Sequence, residues 1–267
     1  MSIPFTKAHG ARNDFLLSWR SEVRVADYPS AARRICDRHT GIGADGWMII
    51  DPPAGDADGA IELYNSDGSR AEISGNGTRC AAAFLLEAGF GSETVRVATG
   101  AGTKHLRVLE RRGHVFEFEM NMGRPSYGGE RGAVVLQLSG GPRQATVLDV
   151  GNPQCVLLVD SFELPWREIG REIESHAAFP NRTNVSFVRI ADRHRIEARF
   201  YERGAGETMS SGTGSTGAAC AALLTGKVEA PLDVLTPAGA LRVRQEAGEL
   251  YLTGPAEMIG AGEFYQE

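Results

Sequence analysis

No run of about twenty apolar residues occurs in this 267-residue chain, so no segment has the length to cross a bilayer as a helix. Cysteine is scarce and scattered. Cys36, Cys80, Cys155 and Cys220 form no Cys-x-x-Cys pair and no Cys/His cluster, so neither a zinc site nor a disulfide framework is indicated, and the pattern suits a reducing cytosol. Positive charge is in short supply as well. The 28 Lys and Arg residues are outnumbered by 34 Asp and Glu, leaving a net charge of −6. That balance argues against a nucleic-acid or anionic-membrane partner. The first residues, MSIPFTKAHGARNDFLLSW, contain no apolar h-region, so no signal peptide is expected. Neither glycine-rich stretch is followed by Lys as a Walker A motif requires, and the strand and acidic residue of a dinucleotide fingerprint are missing.

What the chain has in abundance is glycine: 33 residues, well above the usual share of about 7%. Many tight turns follow from that. With 42% apolar and 23% charged residues the composition is that of a globular protein, with room for one large domain or two ordinary ones.

The glycines are not randomly placed. Residues 72–80 read EISGNGTRC and residues 210–219 read SSGTGSTGAA, each a serine ahead of Gly-x-Gly and small apolar residues. Sliding the chain along itself by 137 positions brings Ser74 onto Ser211, Gly75 onto Gly212, Gly77 onto Gly214, Ala81 onto Ala218 and Leu86 onto Leu223. The same offset goes on to match Val97 with Val234, Thr99 with Thr236 and Gly102 with Gly239. With a two-residue deletion, LRV at 106–108 meets LRV at 241–243, and Gly113 meets Gly248. A structural duplication is the expectation.

Each copy has the same plan. The segments CAAAFLLEAG and AACAALLTG are apolar on all sides, as a buried helix is; helices are expected at 75–88 and 212–224. Period-2 strands follow, TVRVAT with a hairpin turning near Gly113, and PLDVLT with one turning near Gly248. Other strand-like runs are GWMII, AIELYN, AVVLQL, ATVLDV, CVLLV, NVSFVRI and RIEARFYE, with amphipathic helices at 29–38 and 166–177. The expected fold is therefore α/β: two pseudosymmetric domains, each a curved, barrel-like β-sheet around a central apolar helix. The glycine- and proline-rich stretch at 121–132 marks the boundary.

A glycine-rich turn opening a helix presents backbone N–H groups to an anion, with the helix dipole behind them. Ser74 and Ser211 are good N-caps, and duplication would set the two helix starts and two hydroxyls on either side of one cleft. Polar residues flank them: Asn65 and Glu202 each stand nine positions before a serine, Arg203 follows Glu202, and Asn152 and Asn184 lie in GNPQ and PNRTN. An Arg beside a Glu at a strand end suits a ligand with carboxylate and ammonium groups.

In these motifs the sequence resembles the diaminopimelate epimerase family. KAHGARNDFLL, CDRHTGIGADG, NSDGSRAEISGNGTRC, GNPQCV, FPNRTNVSF and YERGAGETMSSGTGSTGAA are similar to that family's motifs and come in the same order. The resemblance implies two barrel-like domains, 1–122 with 255–267 and 123–254, and a cytosolic homodimer. It implies an isomerase that uses no cofactor and no metal, interconverting LL- and meso-diaminopimelate for lysine and peptidoglycan-precursor synthesis. It further implies that backbone N–H groups at Gly75, Asn76, Gly212 and Thr213 hold the proximal carboxylate, and that Asn13, Asn65, Asn152, Asn184, Glu202 and Arg203 hold the distal amino-acid group.

At the chemistry this sequence departs from the family. The two cysteines that act as base and acid correspond to Ser74 and Ser211, and the histidine after GNP to Gln154. A hydroxyl is far less acidic than a thiol and needs a neighbouring base, for which Glu202 and Glu207 are the nearest carboxylates. Cys80 and Cys220, deep in apolar helices, are poor substitutes. Several readings stay open: serines engineered in place of cysteines, an epimerase with altered acid/base groups, a related racemase, isomerase or dehydratase acting on another small acid, and an amino-acid-binding protein without activity.

Overall fold

The computed structural model describes residues 2–266. The chain divides into two compact units, Met1–Met120 with Gly254–Glu267, and Asn121–Thr253. The first unit contains β1 (Ser2–Gly10), β2 (Asn13–Trp19), α1 (Tyr28–Ile35), β3 (Gly46–Asp51), β4 (Gly59–Asn65), β5 (Arg70–Ala71), α2 (Gly75–Glu87), β6 (Thr94–Thr99), β7 (Gly102–Arg112) and most of β8 (Val115–Gly123). The second contains β9 (Ser126–Tyr127), β10 (Ala133–Leu138), β11 (Gly141–Asp149), β12 (Pro153–Leu158), α3 (Trp166–Glu174), β13 (Asn184–Asp192), β14 (Arg195–Glu202), β15 (Gly206–Thr208), α4 (Gly212–Leu224), β16 (Leu232–Thr236) and β17 (Gly239–Glu246). The last strand, β18 (Glu249–Tyr265), begins in the second unit and ends in the first.

Strand pairing closes the first unit into a barrel. β1 pairs with β2 antiparallel, β2 with β3 parallel, β3 with β4 antiparallel, β4 with β6 parallel, and β6–β7–β8 run antiparallel. β8 then pairs with β18, whose C-terminal part pairs with β1. The second unit follows the same series. β11 pairs with β12 antiparallel, β12 with β13 parallel, β13 with β14 antiparallel, β14 with β16 parallel, and β16–β17–β18 run antiparallel. Each parallel step is bridged by a helix, as a crossover requires.

The two kinds of helix differ in what surrounds them. α1 and α3 are amphipathic and cover one face of the sheet. Ala31, Ala32 and Ile35 of α1 pack with Trp47, Ile49 and Tyr64, while Trp166 and Ile173 of α3 pack with Leu157, Val185 and Phe187. α1 stops at Ile35, short of the expected residue 38, because Asp37 Oδ1 accepts hydrogen bonds from the amides of His39 and Thr40 and turns the chain. α3 ends at Glu174, not 177. By contrast α2 packs against β1, β2, β3, β4, β6 and β7, and α4 against β11, β12, β13, β14, β16 and β17. All residues of α4 from Gly212 to Ala222 are buried. Alanines and glycines are what allow strands to approach from every side.

The repeat extends to single hydrogen bonds. Thr99 Oγ1 donates to Gly102 O at 2.7 Å and accepts from Ala101 N at 3.1 Å; Thr236 Oγ1 donates to Gly239 O at 2.7 Å and accepts from Ala238 N at 3.2 Å. The strand register corrects one expectation. Val97 faces Lys104 and Val234 faces Leu241, so the offset of 137 runs on unbroken and the two LRV triplets are not equivalent. The length difference falls farther along, where β7 carries a bulge between Val108 and Glu110.

Close backbone approach fixes where β1 meets the start of α2. A Cβ added at Gly10 would lie 2.9 Å from the backbone oxygen of Asn76 and 3.2 Å from its Cα. Gly10→Ala is expected to destabilise the first unit by about 1–3 kcal/mol, as overpacking does. Gly260→Ala, where nothing lies within 4 Å, is the neutral control. Urea unfolding followed by fluorescence checks this, and equal midpoints for the two variants would contradict it.

Candidate active site

Both serines are N-caps. Ser74 (φ −126°, ψ 123°) and Ser211 (φ −139°, ψ 124°) are extended, and each hydroxyl oxygen accepts a hydrogen bond from the amide three residues on: Gly77 N at 3.1 Å and Gly214 N at 3.0 Å. One orphan amide of each helix is satisfied in this way. The amides of the first two residues, Gly75 and Asn76 in α2 and Gly212 and Thr213 in α4, are left without an intrahelical acceptor, as at any helix start. They form the positive end of the helix dipole.

The hydroxyls differ in what else they touch. Ser211, 1% exposed, donates its proton to Glu202 Oε1 at 2.6 Å, the short distance of a charge-assisted bond. Glu202 is the last residue of β14, and β15 returns beside it, with Glu202 paired to Gly206. Ser74 is half-buried and makes no such contact among the described residues; its hydroxyl serves the cap. Glu207, the other carboxylate considered, is exposed and forms a two-point ion pair with Arg167 at 2.5 and 2.9 Å. Of the two, only Glu202 is placed to take a proton from Ser211.

Registers within each unit identify equivalent positions. Tyr64 and Tyr201 stand at the same distance before their serines. Tyr64 faces Trp47, and Trp47 faces Leu16; Tyr201 faces Val185, and Val185 faces Cys155. By the same register Asn13 corresponds to Asn152, Phe15 to Gln154, Gly46 to Asn184 and Asn65 to Glu202. Both buried asparagines reach the second residue of their serine-led helix. Asn13 Oδ1 accepts from Asn76 Nδ2 at 3.2 Å, and Asn152 Nδ2 donates to Thr213 Oγ1 at 3.2 Å.

Their amides point in opposite senses for a definite reason. Asn13 Nδ2 donates to Asp45 Oδ2 at 2.7 Å, and a carboxylate can only accept. The oxygen of Asn13 must then face the helix. Asn152 Oδ1 instead accepts from Gln154 Nε2 at 2.7 Å, which turns its NH2 group to Thr213. Gln154 is wholly buried, and its Oε1 has no hydrogen-bond partner among the described residues.

Beyond Asn76, at the other end of the hydrogen-bond series from Asp45 through Asn13, lies a residue that sequence reasoning passed over. Arg79 is completely buried in α2. Its guanidinium donates to Asn76 Oδ1 at 2.5 Å, to Gly75 O at 3.3 Å and to Pro255 O at 3.0 Å. Burial pulls its pKa down to about 10, so it is still charged at neutral pH. A charged residue within a helix read as apolar on all sides was the available signal. Asp45 was passed over too. Burial drives its carboxyl above the usual range, and Arg38 bridges it to Asp14. Burial also acts on Asp14, but hydrogen bonds from Arg38 and Lys7 outweigh it and hold that carboxyl below its usual value.

The remaining expected residues are placed as follows. Asn65 ends β4 and donates to Ser69 Oγ at 3.0 Å across a tight turn. Asn184 clamps backbone on both sides, donating to Pro153 O at 2.9 Å and accepting from Arg203 N at 3.1 Å. The Arg203 side chain donates to Asn181 O at 3.2 Å. The thiols of Cys36, Cys80, Cys155 and Cys220 are all buried and pushed up to about 12 by desolvation, so none is a thiolate at neutral pH. Among the described residues no group of three or more His, Cys, Asp and Glu side chains converges as a metal site, and no helix is long and apolar enough to cross a membrane.

In solved structures, the fold is similar to that of a probable proline racemase from Agrobacterium radiobacter K84, with a TM-score of 0.79 at 16% identity over 99% of this chain and 93% of that one. It is also similar to a hydroxyproline epimerase from Agrobacterium vitis, with a TM-score of 0.74 at 16% identity over 98% and 90%. In sequence, the chain is 38% identical to a diaminopimelate epimerase from Pelotomaculum thermopropionicum, over 97% of this chain and 98% of that protein. It is 37% identical to one from Moorella thermoacetica over the same shares. The family model described as diaminopimelate epimerase matches residues 5–128 and 146–259, taking in both serine-led turns. On that match and those full-length likenesses, the chain belongs to the diaminopimelate epimerase family.

Proposed function

We propose that this protein is an amino-acid epimerase that interconverts LL- and meso-diaminopimelate without a cofactor, supplying lysine and peptidoglycan-precursor synthesis, with the acid/base work done by Ser211 with Glu202 and by Ser74. The observation that carries this reading is the 2.6 Å hydrogen bond from Ser211 Oγ to Glu202 Oε1 at the start of α4. It supplies what a serine in a cysteine's place lacks, a base for its proton.

Inversion at an α-carbon needs one group to remove a proton and another to return one to the opposite face. In the proposed step the Cα–H bond breaks and its proton forms an O–H bond with Ser211. The original hydroxyl proton passes to Glu202, and the negative charge moves from Glu202 to the substrate carbon. The amide of Gly214, already donating to Ser211 Oγ, stabilises the charge the oxygen carries in transit. Ser74 is assigned the return of a proton: its O–H bond breaks, a new Cα–H bond forms on the opposite face, and the negative charge passes from the carbon to Ser74 Oγ. Backbone N–H groups of Gly75, Asn76, Gly212 and Thr213 are assigned to carboxylate binding, and Arg203, with Asn13, Asn65, Asn152 and Asn184, to the distal amino-acid group. The soluble partner in this reading is the small-molecule substrate; a homodimer in the cytoplasm is part of the same proposal.

A second reading, a racemase or isomerase of another amino acid or small acid, draws on Gln154. Its buried carboxamide stands where the resemblance leads to a histidine, and its acceptor atom, Oε1, is unused among the described residues.

Two measurements test the proposal. With LL- or meso-diaminopimelate in deuterated buffer, the purified protein should incorporate deuterium at an α-carbon and yield the other isomer. Binding without exchange would leave an amino-acid-binding protein, and exchange only with a different amino acid would favour the second reading. Glu202→Gln keeps the shape and a hydrogen-bond acceptor but loses the base. It should lower kcat by about 10²–10⁴-fold, the usual contribution of a positioned acid or base, with unfolding unchanged. Unaltered kcat would remove Glu202 from the chemistry.

A further inference from the structure

The two serine-led turns are alike in backbone and unlike in charge. Beneath the α4 turn the position equivalent to Arg79 is Thr216, a neutral residue whose hydroxyl donates to Gly212 O at 2.9 Å. The nearest charge described at that turn is negative, the Glu202 carboxylate on Ser211. At the α2 turn the guanidinium of Arg79 lies directly under the first turn, against Gly75 O and Asn76 Oδ1, and makes no ion pair among the described residues. A buried cation without a directly contacting carboxylate is costly, so it calls for a compensating role.

The hydrogen-bond directions show how the charge is held. Arg79 can only donate and Asp45 can only accept. Between them Asn76 and Asn13 have no freedom to flip: Arg79 donates to Asn76 Oδ1, Asn76 Nδ2 to Asn13 Oδ1, and Asn13 Nδ2 to Asp45 Oδ2. Of the other charges on elements around this helix start, Lys7, Asp14, Arg38 and Asp45 pair among themselves, His9 Nε2 lies 3.5 Å from Glu257 Oε2, and Glu72, two residues before Ser74, is engaged as well. Cys80 stays a neutral thiol.

We propose that Arg79 is a positioning residue for the Ser74 turn: it locks the Asn76 side chain and adds a buried positive charge to the α2 helix start, making this the turn that stabilises negative charge, while Glu202 makes the Ser211 turn the one that accepts protons. The inference rests on the functional reading in taking these turns as the site, and it names which turn does which half of the chemistry. A proton is given up most readily where the remaining charge is stabilised, so Ser74 is the donor in the direction that Ser211 begins, and it takes the proton back when the reaction runs in reverse.

Single thiols report the difference without any substrate. The four native cysteines are pushed up to about 12, so a thiol introduced by Ser74→Cys or Ser211→Cys is the one that titrates between pH 5 and 10. Its thiolate absorbance in the ultraviolet, read against pH, gives its pKa. The Ser74→Cys thiol should titrate at least about one pH unit below the ordinary ~8.5, and below the Ser211→Cys thiol. Adding Arg79→Met to Ser74→Cys should raise it by about one unit or more, a tenfold loss of thiolate. Arg79→Lys should restore most of the lowering, which a purely structural role would not require. Equal pKa values for Ser74→Cys with and without Arg79→Met, both folded by circular dichroism, would overturn the proposal. If Arg79→Met does not fold, the order of the two single-thiol values decides: a lower value for Ser211→Cys overturns it. Since no diaminopimelate is added, the outcome stands apart from whether diaminopimelate is the substrate.

Discussion

A helix buried along its length can show polar backbone only at its ends, and both units of this protein are built around that constraint. α2 and α4 are enclosed by strands because their alanines and glycines leave no face that water would prefer. Their first amides cannot be satisfied within the helix. Ser74 and Ser211 each satisfy one, the amide three residues on. The β-α-β crossovers, the glycine at position 10 and the paired asparagines at 13 and 152 all bear on holding those two ends in place.

Duplication supplies two copies of one frame, and the proposed chemistry lies in how the copies differ. Asn65 corresponds to Glu202, which puts a carboxylate beside one serine only. Phe15 corresponds to Gln154, so the Asn152 amide is oriented by another amide while Asn13 is oriented by Asp45. Arg79 corresponds to Thr216, so only one helix start has a cation beneath it. None of these differences disturbs the backbone hydrogen-bonding common to the two units, and the threonine turns at Thr99 and Thr236 match nearly atom for atom.

The sequence made the periodic parts of this structure legible. Helices α2 and α4 begin where Ser-Gly-x-Gly announces a cap and a tight turn, and strands such as β6 and β14 span the period-2 runs that pointed to them. Glu202 was legible because it lies nine positions before a serine at the end of a strand. Arg79 was not, because its partners are set by the fold: Pro255 lies 176 residues away in sequence. The Asn13–Asp45 contact likewise depends on the parallel pairing of β2 with β3, which no local pattern specifies. The LRV triplets misled for a related reason. A matching triplet reads residue type, whereas register is fixed by the turn, and the Thr99 and Thr236 turns hold the offset at 137.

Serine in both positions does not leave the two ends chemically equal. A hydroxyl is too weak an acid to form an anion unaided, so its behaviour is set by what stands next to it rather than by the oxygen itself. Two unit charges about 4 Å apart interact by about 4 kcal/mol at the effective dielectric of a protein surface, and about 1.4 kcal/mol is a tenfold change in a proton equilibrium. In the proposed reading, a carboxylate on one hydroxyl and a guanidinium beneath the other turn set two similar groups apart in proton affinity. Thiols can divide the work of base and acid by exchanging a proton state between identical groups. With hydroxyls the division has to be written into the neighbours, and in the proposed reading those neighbours are Glu202 and Arg79.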